Sequence, residues 1–241
     1  MSDARELWVV RLGSSGYAEV LELQRAAARA RISGAVPHDL LLLVEHEPVV
    51  TMGRTAKHQH LTASAELLAA RGVSLHEVER GGDVTYHGPG QLVGYPIVDL
   101  KRHTQDLHWY LRQVEQALIV ALGEHAVTGE RSAGYTGVWT RGLAGSVSHP
   151  PRKIASIGVH ARDWVTWHGF ALNVTTELSY FDLIVPCGIA GVDMTSMSRE
   201  LGAPVAMRAA EDSAVRGFSS VLGLDPVETP LAALALDPVN A

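Results

Sequence analysis

Apolar and polar positions follow two different periods along the chain, and each period marks its own elements. Residues 6–12 (ELWVVRL) predict a short strand, and so does the unbroken apolar run 40–44, bounded by Asp39 and Glu45. Periodicity alone leaves a short helix open for 40–44. Residues 153–161 and 165–174 alternate, which predicts two strands and a hairpin turned near Arg162–Asp163. Leu107, Leu111, Val114, Leu118 and Ala121 recur at intervals of four and three, one apolar stripe on a helix over 104–122 with Thr104 as its cap. Residues 16–31 (stopped by Gly34 and Pro37), 62–71 (opened at Thr62, closed by Gly72) and 205–222 predict three more helices.

Strands and helices mix without strict alternation. That pattern predicts an α/β (α+β) fold, a single domain with a mixed, largely antiparallel sheet flanked by helices. The segment 140–152 (TRGLAGSVSHPPR), rich in proline, glycine and serine, reads as a surface insertion between strands. From Asp225 onward there are three prolines and few large apolar residues, which predicts a loosely packed tail. The expected organisation is a catalytic domain over 1–222 and a tail over 223–241.

The 241 residues are 46% apolar and carry a formal charge of −6, close to an ordinary globular domain and unlike a nucleic-acid binder with its basic stripe. No apolar run approaches the roughly 20 residues of a membrane-spanning helix, and the first residues do not resemble a secretory signal. Cys187 is the single cysteine, so no internal disulfide can form; a lone thiol suits a reducing, cytoplasmic setting.

Three segments carry candidate chemistry. Residues 80–95 pack five glycines and Pro89 around Arg80, Thr85, Tyr86 and His87; such a loop either presents backbone amides to a ligand or is a pair of ordinary turns. It matches neither the Walker A nor the GxGxxG pattern. In 184–196, Cys187 lies between Pro186 and Gly188, in a turn that exposes a thiol, although a lone cysteine is also commonly inert. A nucleophilic thiol needs a cation or base beside it, and Lys153, opening an apolar strand, and His87 are the candidates; a snorkelling lysine is the alternative. In 168–174, Gly169 and Ala171 leave a notch that fits a ligand or merely a close neighbour. His58 and His60 are the one tight histidine pair, without HExxH or CxxC, so no metal site is expected.

Together these segments resemble the octanoyltransferases of lipoate biosynthesis, in the biotin/lipoate protein ligase superfamily. The resemblance rests on RGGDVTYHGPGQLVGYP (80–96), RKIASIGVHARDWVTWHGFALNV (152–174) and FDLIVPCGIAGVDMTS (181–196), with weaker echoes in 41–54 and 60–62. It spans about residues 5–220 and implies a ligase-type catalytic fold. It further implies transfer of an octanoyl or lipoyl group from acyl carrier protein to a lysine of lipoyl domains in 2-oxoacid dehydrogenases and the glycine cleavage H protein. The route passes through a thioester on Cys187 with Lys153 as partner, and without a cofactor. The family's acyl-binding residues match Arg80, Gly81, Gly82, Asp83, Val84, Thr85, Tyr86 and His87, then Ser156, Ile157 and Gly158, then Gly169, Phe170 and Ala171. A monomer is the expectation, with Arg131, Arg141 and Arg152 as candidates for a basic docking patch. The rivals are an ATP-dependent lipoate or biotin ligase and a non-catalytic acyl- or metal-binding module.

Overall fold

The computed structural model describes residues 5–143, 151–189 and 191–236. Strand β1 (Glu6–Ser15) leads through Gly16 into helix α1 (Tyr17–Ser33), which ends where Gly34 turns left-handed at φ 81°. Next come β2 (Asp39–His46), β3 (Val49–Met52), α2 (Ala65–Ala70), β4 (Ser74–Glu77), β5 (Val84–His87) and β6 (Gln91–Ile97). Helix α3 (Leu107–Gly123) precedes β7 (Val127–Glu130), β8 (Val138–Leu143), β9 (Arg152–Arg162) and β10 (Val165–Asn173). Helices α4 (Met197–Leu201) and α5 (Met207–Leu222) and strand β11 (Asp225–Glu228) follow.

Eight strands form one sheet in the order β11-β1-β2-β6-β10-β9-β8-β7, and a second sheet has the order β4-β3-β5. β1 runs parallel to β2 and β11, and the remaining neighbours in the large sheet are antiparallel. The run 40–44 is a strand because both of its faces are covered. Leu41 and Leu43 enter a core with Tyr110 and Val114 of α3 and Phe218 of α5, while Leu40, Leu42 and Val44 enter one with Val20 and Ala27 of α1. The β9–β10 hairpin turns at Asp163 and Trp164, both left-handed at φ 51° and 65°, as a two-residue type I′ turn requires.

Several expectations shift. α3 is capped by Asp106, whose Oδ1 accepts the His108 and Trp109 N–H groups, and α2 by Ser64, not by Thr104 or Thr62. Leu107 is exposed and Leu111 only half-buried, whereas Val114, Leu118 and Ala121 are buried as expected, and Tyr110 and Ala117 join them on that face of α3. β6 is wholly buried despite Gly94, whose missing side chain makes room for the Phe170 ring. In the segment expected to be a loop over 140–152, residues 140–143 belong to β8 and 144–150 lie outside the described residues. The tail is not loose throughout: 225–228 pair with β1, and Leu234 is buried against the α1 core. Backbone pairing along an open sheet edge asks for no large apolar side chains, so the composition of this segment hid it.

A cavity of about 310 Å³ opens where the small sheet meets the α1 side of the large one. Val93 and Tyr95 of β6 and Ala171 of β10 line it from the large sheet; Thr85 and His87 of β5 line it from the other side.

Candidate active site

Cys187 lines this cavity, half-buried, in a single 3-10 turn over Pro186–Gly188. Its backbone is left-handed, φ 56° and ψ 19°, a conformation that a side-chain-bearing residue holds only when its surroundings enforce it. Here the Val185 N–H donates to the His60 carbonyl (2.7 Å) and the Gly188 N–H to the Val185 carbonyl (2.9 Å). Gly188 is left-handed as well (φ 67°). A Cβ there would lie 2.5 Å from Asp83 Oδ2, which itself pairs with His60 Nδ1 at 2.6 Å. The turn is thus pressed against the Asp83–His60 pair, and only glycine fits behind the thiol.

Lys153 Nζ donates to Cys187 Sγ at 3.0 Å, and Ser156 Oγ lies 3.8 Å from the same sulfur. Lys153 is 1% exposed. Its N–H donates to the Asp193 carbonyl (2.8 Å) and its carbonyl accepts the Thr195 N–H (2.9 Å), so residues 193–195 run beside β9. The chain that leaves the Cys187 turn therefore returns at once to bind the lysine's backbone.

The cavity walls combine small residues with a buried cation. Arg80 is 7% exposed and gives its guanidinium hydrogens to Thr51 O (2.7 Å), Thr51 Oγ1 (2.9 Å) and Gly81 O (3.1 Å). No carboxylate pairs with it among the described residues, and burial pulls its pKa down. Gly158 lets this loop cross: a Cβ there would come within 2.8 Å of Gly81 O and 3.2 Å of Arg80 Cδ.

His87 in the cavity wall and His46, 6.0 Å away outside the lining, are neutral. Gln91 gives its amide hydrogens to Tyr86 O and Asn173 Oδ1, so its Oε1 faces His87 Nδ1 (2.8 Å), which must carry the hydrogen. Burial lowers the His87 pKa to about 3. His46 donates from Nδ1 to Ser15 O (2.9 Å) and accepts at Nε2 from the Tyr95 hydroxyl (2.7 Å), and burial lowers it to about 4. Tyr17 stacks on His87 at 6.0 Å, and burial pushes its phenol up to about 12. The wall made by Tyr17, His87 and Tyr95 is thus uncharged near neutral pH, with Arg80 as the buried cation beside it.

A half-buried thiol, a buried lysine amine 3.0 Å from it and a small, mostly apolar cavity beside them have the chemistry an acyl-transfer site requires. Comparison with known proteins decides the family. A family model of the lipoyl protein ligase A/B catalytic domain matches residues 16–219. An octanoyltransferase of Acidobacterium capsulatum is 50% identical over 224 residues, 89% of this chain and 89% of the relative. One from Rubrobacter xylanophilus is 48% identical over 216 residues, 89% and 92% of the two chains. The chain belongs to the octanoyltransferases of the lipoyl protein ligase A/B catalytic-domain family.

The fold agrees with that family. A bipartite lipoate protein ligase from Thermoplasma acidophilum superposes with a TM-score of 0.71 over 96% of this chain and 91% of its own, at 16% identity. Of the residues that resemblance to octanoyltransferases singled out, Arg80, Gly82, Asp83, Thr85, His87, Ser156, Ile157, Gly158, Gly169, Phe170 and Ala171 line the cavity with Lys153 and Cys187. Gly81, Val84 and Tyr86 do not. The Gly81 N–H is turned to Val159 O (2.8 Å). Val84 and Tyr86 lie on the opposite face of β5, in a core with Phe181 and Leu183, where Tyr86 stacks on Tyr180 at 4.8 Å. A strand that sends Thr85 to one face must send its neighbours to the other.

Tyr17 and the segment 134–136 also line the cavity, as do Tyr95 and His168, which sit inside the segments 80–96 and 168–174 but are not among the site residues expected there. The Gly134 and Gly137 pair around Tyr135 is a faint local signal in the sequence. His87, the other candidate partner of the thiol, bonds to Gln91 instead. Arg131, Arg141 and Arg152 do not stand as a free basic patch, because each meets a carboxylate: Glu115 (3.0 Å), Glu130 (3.0 Å) and Glu200 (2.7 Å).

Proposed function

We propose that this octanoyltransferase takes its acyl group from the thioester of acyl carrier protein, holds it on Cys187, and passes it to a lysine ε-amine of a lipoyl domain. The observation that carries the proposal is the 3.0 Å contact between Lys153 Nζ and Cys187 Sγ in the wall of the cavity. In the first half, the Cys187 thiolate attacks the donor carbonyl, and the tetrahedral species expels the carrier's thiolate, which takes a proton from the Lys153 ammonium. The new bond is a thioester like the one broken, so the exchange needs no ATP. In the second half, the acceptor amine attacks the Cys187 thioester. Lys153, now neutral, takes the amine's proton, and Cys187 leaves as thiolate beside the restored ammonium.

The acyl tail lies along Gly158, Gly169 and Ala171, with Val93 and Phe170 as apolar contacts. At about 310 Å³ the space is at the small end of ligand sites, suited to a short chain. Acceptors of the expected class are the lipoyl domains of 2-oxoacid dehydrogenases and the glycine cleavage H protein. We place the reaction in the cytoplasm, where a lone catalytic thiol stays reduced, and expect a monomer to suffice. Residues 1–222 then make up the catalytic domain.

The test is transfer from octanoyl-acyl carrier protein to an isolated lipoyl domain without ATP. Modification of the lipoyl lysine supports the reading. Activity only with free octanoate and ATP, unaffected by Cys187→Ala, overturns it in favour of a ligase.

A further inference from the structure

Lys153 is buried at 1% exposure with no carboxylate within 4 Å among the described residues. A desolvated ammonium needs compensation. Its polar partner is Cys187 Sγ, which supplies full compensation only when the sulfur is a thiolate. A second partner lies on the adjacent strand. Trp139 of β8 is paired in register with Lys153 of β9, and the irregularity between Val138 and Trp139 adjusts the ladder at that point. The lysine Nζ sits 5.0 Å from the centroid of the Trp139 ring, and that ring is 5% exposed. An indole face attracts a cation most strongly where water is excluded.

The surroundings hold this pair together. A Cβ on Gly137 would lie 2.9 Å from Lys153 Cε, so the backbone of the preceding turn presses on the lysine stem. The Gly137 N–H donates to Oε1 of Glu115, a fully buried carboxylate of α3 whose Oε2 accepts from Arg131. Trp139 also meets the Tyr135 ring, centroid to centroid, at 6.1 Å. The remaining charged groups around the site are engaged. Asp83 pairs with His60, Arg80 binds Thr51 and Gly81, Arg152 pairs with Glu200, and Asp193 pairs with Arg199.

We propose that Trp139 is the positioning residue of the dyad: its ring holds the Lys153 ammonium over Cys187 and so favours the thiolate–ammonium pair over the neutral one. The role rests on the Cys187–Lys153 reading above, yet it is tested without any acyl donor. Cys187 is the one cysteine, so the rate of iodoacetamide alkylation against pH reports its thiolate directly. Trp139→Leu removes the ring attraction and destabilises the ammonium, and the sulfur then needs a higher pH to ionise. The alkylation midpoint should rise by about half to one and a half pH units. Trp139→Phe should fall between parent and Trp139→Leu. With the full substrates, Trp139→Phe should lower kcat and leave KM for the donor within about twofold.

Global replacement with mono-, di- and trifluorinated tryptophan weakens the ring quadrupole at nearly constant shape, and covers the case in which Trp139→Leu does not fold. The midpoint should climb with each fluorine in the parent and stay fixed in Trp139→Phe, which retains the other four tryptophans. Superimposable alkylation profiles for parent and variants, or a fluorine dependence that persists in Trp139→Phe, would overturn the proposal. Loss of acyl transfer with an intact alkylation shift would count against the transfer reading and leave this inference standing.

Discussion

Lys153 and Cys187 are 34 positions apart, and one short segment brings them into contact: residues 193–195, just past the Cys187 turn, bond to the backbone N–H and carbonyl of Lys153. The loop that carries Cys187 is therefore tied to the strand that carries Lys153. Motion of one relative to the other would break backbone bonds as well as the side-chain contact.

Arginine at position 153 keeps a cation beside the sulfur but cannot give up its proton at any ordinary pH. Lys153→Arg should still form acyl-enzyme, more slowly, and fail in the amine half. Acyl-enzyme should accumulate, and turnover should fall by about 10²- to 10⁴-fold. Rapid-quench measurement of both half-reactions checks this; turnover at the parent rate would remove Lys153 as the base.

Gly188 and Gly202 offer a matched pair. Both are left-handed, at φ 67° and 65°, but a Cβ at Gly202 meets nothing within 4 Å, whereas one at Gly188 lies 2.5 Å from Asp83 Oδ2. Gly202→Ala should cost about 1 kcal/mol of stability through backbone strain alone and leave activity intact. Gly188→Ala should cost more and slow acylation by displacing the Cys187 turn. Equal unfolding midpoints and equal rates for the two variants would show that the turn tolerates displacement.

Stability should fall in mild acid. Burial holds His46 at about 4 and His87 at about 3, both below the value of an unfolded histidine, about 6.5. For a group depressed in the folded state, the unfolded chain binds the proton first. The stability linked to these rings is complete above pH 6.5 and is lost as pH drops toward 4. His46 alone corresponds to about 3 kcal/mol across that window. Urea unfolding at pH 7, 5.5 and 4.5 should show the decline, and His87→Gln should flatten it; a midpoint that does not move with pH would contradict the assignment of neutral, buried rings.

Ala171 faces the cavity from β10 and is 3% exposed. Ala171→Leu should shift preference toward shorter acyl donors, with about 1–3 kcal/mol lost from kcat/KM for octanoyl relative to butanoyl. An unchanged chain-length profile would mean that the acyl tail does not pass Ala171.

Much of this arrangement was legible in the sequence, for local reasons. The β9–β10 hairpin declared itself by alternation and α1 by its composition, and Pro186 and Gly188 marked the turn that carries the thiol, which is half-buried rather than exposed. What escaped depended on partners distant in the chain. β11 is a strand because β1 offers it an open edge. Tyr17 and Tyr95 reach the cavity through the packing of α1 and β6, which no local pattern encodes. Val84 and Tyr86 illustrate the opposite error: a contiguous motif invites a contiguous site, but β5 delivers only alternate residues to the cavity.

A thioester on Cys187 is visible in the intact mass after incubation with octanoyl-acyl carrier protein without ATP. The wild-type chain should gain one octanoyl group that hydroxylamine removes, and Cys187→Ser should gain none or one that resists hydroxylamine. A wild-type chain that stays unmodified by a competent donor, or a hydroxylamine-labile adduct that persists in Cys187→Ser, would contradict the account.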